Sequence, residues 1–561
     1  MLGAYARSGR FLPSSAALAL GLLVGSASLL ALSACEGCRP GGPAATDARD
    51  TDLAPTARLF VVSDLAGALE PCGCVKDQLG GMDHFGALVT DKGDKARPKG
   101  FASVSAGPLF FMDMELSADR RAQEISKAET IAASMKGLGL VAFAPGRNDW
   151  AAGPDVLGKL REASGAAMLG ANVKAGGAAL PKSVVREVGG LKIGFLGVGA
   201  PDKAKSPLEG VASEEAIPSL RPAIEEAKKE GAQALVALAA VGRGEAKRIA
   251  DSYPELLAVV VGSNGGNGES NTKAPPAERI GNVLVVETGN HLQTVAVLDL
   301  YVKGDAKGAL VTFADGTGID GIRKREELTT RIDELRTKIA VWENDGKVGK
   351  ADIEARKKDV AKLEAEREAL DKAVKAPNGG SFFRYTMRDV RDKLGADEAV
   401  KAQMLAYYKK VNDANKVAFA ERVPKAPGPK EASYVGIDNC TSCHEDAKKV
   451  WDKTRHAHAY ETLTTQFKEF NLDCVSCHVT GYDRPGGSTV THVKDLKDVQ
   501  CEVCHGPGSL HAKEPEKNKI PVPHPTADSC TACHHPPHVH AFDGNAKMAE
   551  ILGPGHGRPK N

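Results

Sequence analysis

The stretch that decides the fold is the last quarter of the chain, residues 431–561, where one short pattern occurs four times. The copies are Cys440-Thr-Ser-Cys443-His444, Cys474-Val-Ser-Cys477-His478, Cys501-Glu-Val-Cys504-His505 and Cys530-Thr-Ala-Cys533-His534. Two thiols at this spacing can reach the two vinyl groups of one porphyrin, and the His that follows can bind its iron. Zinc sites or disulfides could explain one such Cys pair. Four copies, each followed at once by His, predict four covalently bound c-type haems with His444, His478, His505 and His534 on the irons.

Nine further histidines lie in the same region: His456, His458, His492, His511, His524, His535, His538, His540 and His556. Four irons have four sixth positions to fill or to leave open. A second imidazole gives a low-spin electron carrier, whereas an open face gives a site where a small molecule could react. Some of the nine must be ordinary surface histidines.

The residues around the motifs resemble the tetrahaem electron-transfer cytochromes of the cytochrome c-554 family. The matching phrases include Trp451-x-x-Thr-x-His456, Val499-Gln-Cys-Glu-x-Cys-His-Gly-Pro-Gly-Ser-x-His511 and Ile551-Leu-Gly-Pro-Gly-His556. The resemblance implies that His456, His511 and His556 are sixth ligands, which leaves one haem without a histidine there. It does not say which haem each of them serves. We expect a mainly α, loop-rich domain whose core is made by the porphyrins.

The beginning of the chain has the pattern of an export signal. Arg7 and Arg10 precede an apolar run in residues 16–32, and the run ends at Leu32-Ser33-Ala34-Cys35, which resembles a bacterial lipobox. Cleavage after residue 34 would leave Cys35 as a lipidated first residue. The alternative is an uncleaved membrane anchor. Both place the rest of the chain in the cell envelope, facing the periplasm or the outer surface, with residues 35–56 as a flexible tether.

Composition narrows the range of functions. The 561 residues predict two or more domains. A net charge of +1 gives no reason to expect a nucleic-acid-binding or polybasic membrane-binding surface. The 12 cysteines comprise the eight in the motifs and Cys35, Cys38, Cys72 and Cys74.

Residues 57–316 contain short apolar runs separated by helical patterns, which predict an α/β layered domain with buried sheets. The polar phrases that end these runs resemble those of calcineurin-like metallophosphoesterases, nearest the periplasmic 5′-nucleotidases. They include Val62-Ser-Asp64-Leu-Ala-Gly67, Ser105-Ala-Gly-Pro108, Pro145-Gly-Arg-Asn148-Asp149 and Val261-Gly-Ser-Asn264.

The metal ligands of that family are degraded in this chain. A dinuclear site needs Asp, His and Asn side chains. Asp64 remains, but the family's ligands or catalytic residues are replaced by Ala66, Pro108, Arg147, Asn148, Ala240, Asn264 and Gly266. The resemblance therefore implies a phosphoesterase scaffold without its hydrolytic metals, and the sequence predicts no second metal site. His84 and His291 could join one, but single histidines are more often packed or exposed.

A cysteine pair follows the first apolar run, in Glu70-Pro71-Cys72-Gly73-Cys74. Cys72 and Cys74 form a candidate redox pair that could make a strained disulfide, bind a soft metal or face a haem. A structural disulfide or an inert pair is an equal alternative.

The two regions are joined by predicted helices. Residues 317–377 have apolar positions at helical spacing on both sides of Asn344-Asp345-Gly346, which predicts an antiparallel coiled-coil hairpin. It could be an arm for oligomerisation or a solvated spacer, and we favour the spacer. Residues 378–430 predict a strand, a helix with an apolar side of Val400, Met404, Tyr407, Tyr408, Val411 and Val417, and a Pro-rich linker.

Together these features predict a lipid-anchored tetrahaem electron carrier that exchanges electrons with redox proteins or quinone-linked donors. Its N-terminal domain would dock a partner or a substrate. One alternative is a redox enzyme acting on a small nitrogen or sulfur compound at an open haem. The other is a nucleotidase-like hydrolase fused to a cytochrome. Whether the chain is an enzyme stays open; if it is, a haem oxidoreductase is favoured over a phosphoesterase.

Overall fold

The computed structural model describes residues 53–72, 78–91, 97–203, 208–266, 268, 270–304, 309–345, 348–371, 379–535, 539, 542–553 and 555–556. The predicted export signal, Cys35, Cys38, Cys74 and the side chain of Cys72 lie outside this range. Within it, no helix is both long enough and apolar enough to cross a membrane.

The described residues form eighteen strands. They are β1 (Ala57–Ser63), β2 (Pro71–Cys72), β3 (Leu79–Gly80), β4 (Phe101–Gly107), β5 (Leu140–Pro145), β6 (Ala167–Met168), β7 (Val173–Ala175), β8 (Ala178–Ala179), β9 (Ser183–Val188), β10 (Leu191–Gly199), β11 (Val211–Ser213), β12 (Ala234–Ala240), β13 (Ala258–Gly262), β14 (Glu278–Ile280), β15 (Val283–Val286), β16 (Thr294–Tyr301), β17 (Ala314–Asp315) and β18 (Phe382–Asp389).

The described residues also form fourteen α-helices. They are α1 (Met82–Val89), α2 (Arg121–Gly137), α3 (Pro154–Ser164), α4 (Ala216–Lys229), α5 (Arg243–Ser252), α6 (Ile319–Asp345), α7 (Lys350–Asp371), α8 (Glu398–Ala418), α9 (Asp438–Thr441), α10 (Glu445–Trp451), α11 (Ala459–Thr464), α12 (Cys501–His505), α13 (Ser509–Lys513) and α14 (Gly544–Ile551).

Two large sheets make the middle of the N-terminal part. The first has seven strands in the order β17-β18-β16-β1-β4-β5-β6, and the second has six in the order β14-β15-β13-β12-β10-β9. Strands β1, β4, β5 and β6 are parallel, as are β10, β12, β13 and β15, so the carboxyl ends within each set meet at one edge. That edge is where the polar phrases singled out in the sequence lie.

The sheets pack face to face and carry helices on their outer faces. Along β1, Leu59 and Val61 are buried against the second sheet, and Phe60 and Val62 are buried beneath the outer helices α2, α3 and α8. The second sheet is covered in the same way by α4 and α5. Because both faces of each sheet are buried, the strands have nearly continuous apolar sequences. The α/β layered prediction is confirmed for the N-terminal part.

Helix α8 belongs to the outer layer of the first sheet. Asp397 caps it by accepting hydrogen bonds from the N–H groups of Ala399 (3.1 Å) and Val400 (3.0 Å). The predicted apolar side is buried in the core between the first sheet and its outer helices, except at Val417, which is 77% exposed. The prediction for Val417 was wrong because the buried stripe continues through Asn415 to Phe419 at helical spacing.

Helices α6 and α7 pack against each other through a small apolar core of their own, in which Ile332 and Ile339 meet Ile353 and Val360. An early residue of α6 pairs with a late one of α7, Lys324 with Glu366 (2.8 Å), and Glu343 near the end of α6 pairs with Lys357 (3.0 Å). The two helices are therefore antiparallel.

The C-terminal region is built from short helices and loops. Its longest described α-helix, α14, has eight residues. Among its described residues, Tyr460, Leu463, Val475, Val479 and Val493 form one small apolar cluster, and Leu472 and Val490 form another with Phe419 at the end of α8. Side chains alone make little core here, which agrees with the predicted helical cytochrome region.

Candidate functional site: the Cys-x-x-Cys-His turns

Each of the four motifs, numbered one to four in chain order, lies on or next to a helical turn. Motif one begins in α9, motif three is α12, and motifs two and four lie on short 3-10 helices at Val475–Cys477 and Ala527–Ala532. The N–H groups of His444 and His534 each bond to the carbonyl of the first cysteine in their motif, both at 2.9 Å. A helical turn places residues three and four apart on the same side. Both thiols and the imidazole of a motif are thereby directed toward one region of space.

The thiols of different motifs meet in a definite order. Cys440 and Cys501 are hydrogen-bonded, which raises the pKa of Cys440 and lowers that of Cys501. Cys477 and Cys533 are hydrogen-bonded in the same way, and Cys504 lies near enough to Cys530 to raise its own pKa beyond the effect of burial. These neighbouring thiols link motif one with motif three, motif three with motif four, and motif four with motif two, which gives the row one, three, four, two. None of the eight cysteines is in a disulfide.

Three histidines in this region are held by the same kind of hydrogen bond. The Nδ1–H groups of His478, His505 and His511 donate to the carbonyls of Ala459 (2.6 Å), Val522 (2.9 Å) and Asn518 (2.7 Å). Such a bond fixes the tautomer and leaves Nε2 with its lone pair, which is the common arrangement of a metal-binding histidine.

His456 faces the imidazole of motif four. The ring centres of His456 and His534 are 6.3 Å apart. Two imidazoles on opposite sides of one metal, at metal–nitrogen distances of about 2 Å, have ring centres roughly 6 Å apart. Burial and the neighbouring His534 lower the pKa of His456, which favours the neutral form that can bind a metal.

His556 lies near motifs one and three. Glycines 553 and 555 pack tightly on α10, where added Cβ atoms would lie 2.7 Å from Val450 Cγ2 and 2.6 Å from the nitrogen of Ala447. Burial and the nearby imidazoles of His505 and His444 lower the pKa of His556. Of the three predicted sixth ligands, His456 thus faces motif four and His556 lies by motifs one and three.

Two residues to which the sequence analysis assigned no function stabilise the loops around motifs two and three. The Glu502 carboxylate, 2% exposed, accepts hydrogen bonds from the N–H groups of Val435 (3.0 Å), Gly436 (2.9 Å) and Gly508 (2.7 Å). Asn471 accepts the N–H groups of Cys474 (3.1 Å) and Val475 (2.9 Å) on its carbonyl. Both are polar residues beside motif cysteines, which is a signal too general to interpret without the structure.

These observations fit haem. The paired thiols are partly exposed, three imidazoles are oriented by Nδ1–H bonds to carbonyls, His456 and His534 have the separation of two ligands on one iron, and the apolar core is small. The same features fit a closed tetrahedral zinc site poorly: among the described residues no group of three or more His, Cys, Asp or Glu side chains could hold a metal ion by itself.

The strand edge of the N-terminal part holds the degraded motifs. The Asp64 carboxylate accepts the N–H of Ser263 (2.9 Å), and burial raises its pKa to about 7. Gly107 passes so close that an added Cβ would lie 1.7 Å from Asp64 Oδ1. Ala66, Pro108 and Ala240 complete the edge and bring no metal ligand to it.

Polar side chains at this edge are used to hold neighbouring loops. The Asn148 Nδ2 group donates to the carbonyls of Met112 (2.6 Å) and Gly266 (2.8 Å), and the Arg147 guanidinium donates to the carbonyl of Met114 (3.1 Å). The site is thus occupied by the protein's own hydrogen bonds.

Asp149 has a comparable structural task. Its carboxylate accepts the N–H groups of Leu109 (2.8 Å), Phe110 (2.7 Å) and Gly146 (3.0 Å), while burial raises its pKa to about 7. The two histidines of the N-terminal part also make local bonds, His84 Nδ1 with the Gly395 carbonyl (2.5 Å) and His291 Nδ1 with Asn271 Oδ1 (3.0 Å).

Comparison with known proteins agrees with the C-terminal motifs. Residues 439–506 match the family model described as cytochrome c554 and c-prime. Cytochrome c-554 of Nitrosomonas europaea is 36% identical over 94 residues, which are 14% of this chain and 40% of that protein. The chain thus spans less than half of that relative's length. The match implies covalently bound c-type haem in this region.

The N-terminal part is similar in structure to phosphoesterases. A sulfate thiohydrolase of Thermus thermophilus has a TM-score of 0.37 at 16% identity, covering 46% of this chain and 55% of that one. A 5′-nucleotidase precursor of Thermus thermophilus has a TM-score of 0.35 at 22% identity, covering 46% and 52%. The calcineurin-like phosphoesterase YfkN of Bacillus subtilis has a TM-score of 0.35 at 18% identity, covering 45% and 86%. At these identities the similarity concerns the fold alone.

Proposed function

We propose that the chain is an exported, lipid-anchored electron carrier with four covalently bound c-type haems. Residues 431–561 would carry the haems, and the phosphoesterase-like part, residues 57–316 with the elements that follow, would dock a partner or a substrate without hydrolysing it. The observation that carries the proposal is the separation of the His456 and His534 ring centres, 6.3 Å, which suits two ligands on one iron. The neighbouring motif thiols agree with it, Cys440 by Cys501, Cys504 by Cys530 and Cys533 by Cys477. Four haem sites in one continuous row suit electron transfer from site to site better than four separate reactions.

The chain's own residues would do the holding and orienting. The eight motif cysteines would form the thioether bonds, and His444, His478, His505 and His534 would bind the irons. Ala459 and Val522 would orient two of those imidazoles by accepting their Nδ1–H groups. A haem held in such a site supplies one-electron chemistry at its iron.

The geometry supports candidates for some of the sixth positions. His456 would complete the site of motif four, since it faces His534. His556 would serve motif one or motif three, and His511 is the third candidate. Redox proteins or quinone-linked donors would exchange electrons at the ends of the row, and the lipid on Cys35 would keep the protein at a membrane.

The second candidate function is a redox enzyme acting on a small nitrogen or sulfur compound. This function is favoured by the number of predicted sixth ligands. Three such histidines, His456, His511 and His556, for four irons leave one haem with an open face. Cys72 and Cys74 are the candidate redox pair, but the described residues include only the backbone of Cys72. Hydrolysis of phosphate esters is not proposed, because Asn148 and Asp149 are committed to backbone hydrogen bonds.

One experiment separates the two. The purified protein is assayed for haem by the pyridine method, and its electronic and EPR spectra are recorded oxidised and reduced, with and without nitrite, nitric oxide or hydroxylamine. Four haems per chain that do not respond to these ligands support the carrier. A high-spin signal that shifts on addition supports the enzyme, and fewer than four haems contradicts the tetrahaem assignment.

A further inference from the structure

Helices α2 and α8 of the N-terminal part form hydrogen bonds with the loop that leads directly into motif two. Gln123 of α2 accepts the N–H of Leu472 (2.9 Å) and donates to the side chain of Asn471 (3.3 Å). From α8, Asn412 accepts the N–H of Phe470 (3.0 Å) and Asn415 donates to the Phe470 carbonyl (2.8 Å). The backbone of residues 470–472, immediately before Asp473 and Cys474, is therefore fixed by two helices of the other domain.

Charged side chains complete this contact at Asp473. Its carboxylate is paired with Arg120 and with Lys127 (3.1 Å), and Lys127 also pairs with Glu124 (2.9 Å). Glu124 and Lys127 have side chains that are 7% and 11% exposed. We call these four residues the α2 charge cluster; it holds two positive and two negative charges. Burial by itself would raise the pKa of Asp473, but Lys127 and Arg120 lower it to about 2, so Asp473 is ionised at neutral pH.

A second contact lies on the other side of the same loop. Lys468, whose side chain is 8% exposed, pairs with Glu70 and lies over the ring of Tyr408 at 4.4 Å from its centre. Burial raises the pKa of the Tyr408 hydroxyl well above its usual value, and the charges of Glu70 and Cys474 raise it further. Motif two is thus held against the N-terminal part by Asp473, the residue before it, and by Lys468, which pairs with Glu70 and lies over the Tyr408 ring.

We propose that the N-terminal part sets the reduction potential of the haem attached at Cys474 and Cys477, through the α2 charge cluster next to Cys474. The proposal rests on the proposed function, since it needs a haem at motif two. Motif two is one end of the row one, three, four, two. The N-terminal part would thereby set how readily electrons enter or leave the row at the end where it docks.

The physical basis is the balance of charge in a partly desolvated site. With two cations and two carboxylates the cluster is neutral as a whole, so its effect on a nearby iron is small. Removing one cation leaves a net negative charge, which stabilises the oxidised and more positive haem. Removing the Asp473 charge leaves a net positive charge, which stabilises the reduced haem. Charges act over longer distances in such an environment than in water.

The test is a potentiometric titration of the full-length haem protein, followed by its absorption spectrum. Dithionite is the reductant, and redox mediators keep the haems in equilibrium with the measured potential. Lys127→Gln is expected to shift one of the four haem transitions to lower potential, and Asp473→Asn is expected to shift the same transition to higher potential. The expected size is about tenfold in the equilibrium constant for reduction, which is about 59 mV for a one-electron couple. The other three transitions should keep their potentials.

Two controls make the result specific. Lys410→Gln removes a cation from the neighbouring α8, where it pairs with Glu129 (3.1 Å) at an exposed position, and should move no transition. Cys474→Ala together with Cys477→Ala removes the haem of motif two, and the transition that Lys127→Gln shifts should then be missing. If that double variant does not fold, the opposite shifts of Lys127→Gln and Asp473→Asn on one transition still support the proposal.

Three outcomes would overturn it: no transition moves, all four move together, or the shifted transition persists without the motif-two cysteines. A wild-type protein that contains no haem at motif two would instead refute the proposed function. The pyridine haem assay and the mass of the haem-bearing peptide around Cys474 detect that case before any titration.

Discussion

His456 lies opposite His534 with the ring separation of two ligands on one iron. We expect His456→Ala to convert one haem, the one attached at Cys530 and Cys533, from low spin to high spin, because its sixth position loses an imidazole. EPR and the long-wavelength absorption of the oxidised protein measure this. His458→Ala is the control, since that side chain is 62% exposed two residues away. An unchanged spectrum for His456→Ala would remove it from the ligands.

The stability of the protein should depend on pH through Asp64, because burial raises the pKa of this carboxyl group from 3.8 to about 7. Between these values the folded state binds a proton that the unfolded state has released. The stabilisation from Asp64 is therefore complete below about pH 4 and is lost as the pH rises through 7. We expect Asp64→Asn to reduce the fall in stability between about pH 4 and pH 8, measured by thermal unfolding at several pH values. Equal slopes for variant and wild type would contradict the assigned pKa.

Asp149 accepts hydrogen bonds from three backbone N–H groups that have little access to water. We expect Asp149→Ala to lower the free energy of unfolding by roughly 3 kcal/mol or more, since each buried donor left without an acceptor costs about 1 to 3 kcal/mol. Urea unfolding followed by circular dichroism measures the change. Asp155→Ala, at an exposed position in the first turn of α3, should cost less than about 1 kcal/mol. Similar losses for the two variants would show that the Asp149 bonds are not structural.

At the scale of elements, helices α6 and α7 depend little on the layers that carry them. Their core of Ile332, Ile339, Ile353 and Val360 is formed between themselves, and the strands on either side of the hairpin pair directly, Ala314 with Phe382. We expect that replacing residues 327–363 by a short Gly/Ser linker leaves the haem content, the melting temperature and the number of chains per particle unchanged. Light scattering after size-exclusion chromatography measures the last of these.

The base of the hairpin should behave differently. Ile319 is 2% exposed in the core between the two sheets, so Ile319→Ala should destabilise the protein by about 2 to 5 kcal/mol. If excision of residues 327–363 instead halves the number of chains per particle, the hairpin is an oligomerisation arm and the spacer interpretation is wrong.

At the scale of the whole molecule, the haem region and the layered part are held together by more than the chain that joins them. Residues 426–430 of the linker are exposed, whereas Gln123, Asn415, Asn471 and Leu472 are buried at the contact. We expect a protease site engineered into residues 426–430 to be cut without separation of the two pieces on size-exclusion chromatography. The polar and charged contacts at this buried surface should keep them associated.

The matched control for this cleavage weakens the contact and leaves the linker as it is. In a protein that also carries Gln123→Ala and Asp473→Ala, the cut pieces should associate more weakly, because the hydrogen bonds of Gln123 and the ion pairs of Asp473 are lost while the contacts of Phe470 and Lys468 remain. Separation of the pieces without these substitutions would mean that the contact is too weak to couple the two parts.

What the sequence by itself determined is local. The Cys-x-x-Cys-His spacing is a property of one helical turn, and the apolar runs specify strands buried on both faces, so the haem motifs and the α/β layers could be recognised without coordinates. The absence of hydrolytic metals stays a prediction, which rests on proline and alanine side chains that bring no ligand wherever they lie. The side of α8 occupied by Val417 was misjudged because a helical stripe drifts, and an apolar residue near the end of a helix satisfies a loose pattern.

Only the tertiary structure decided which distant residues meet. The order of the motifs, the partner of His456 and the grip of Gln123, Lys127 and Asn415 on the loop before Cys474 join positions far apart in the chain. Such contacts depend on how whole elements pack, and the sequence around Gln123, Lys127 and Asn415 shows no motif that would indicate their partners. Asn471 and Asp473 therefore look like ordinary loop residues, and Glu502 like an unassigned position of motif three, until the fold brings their partners to them.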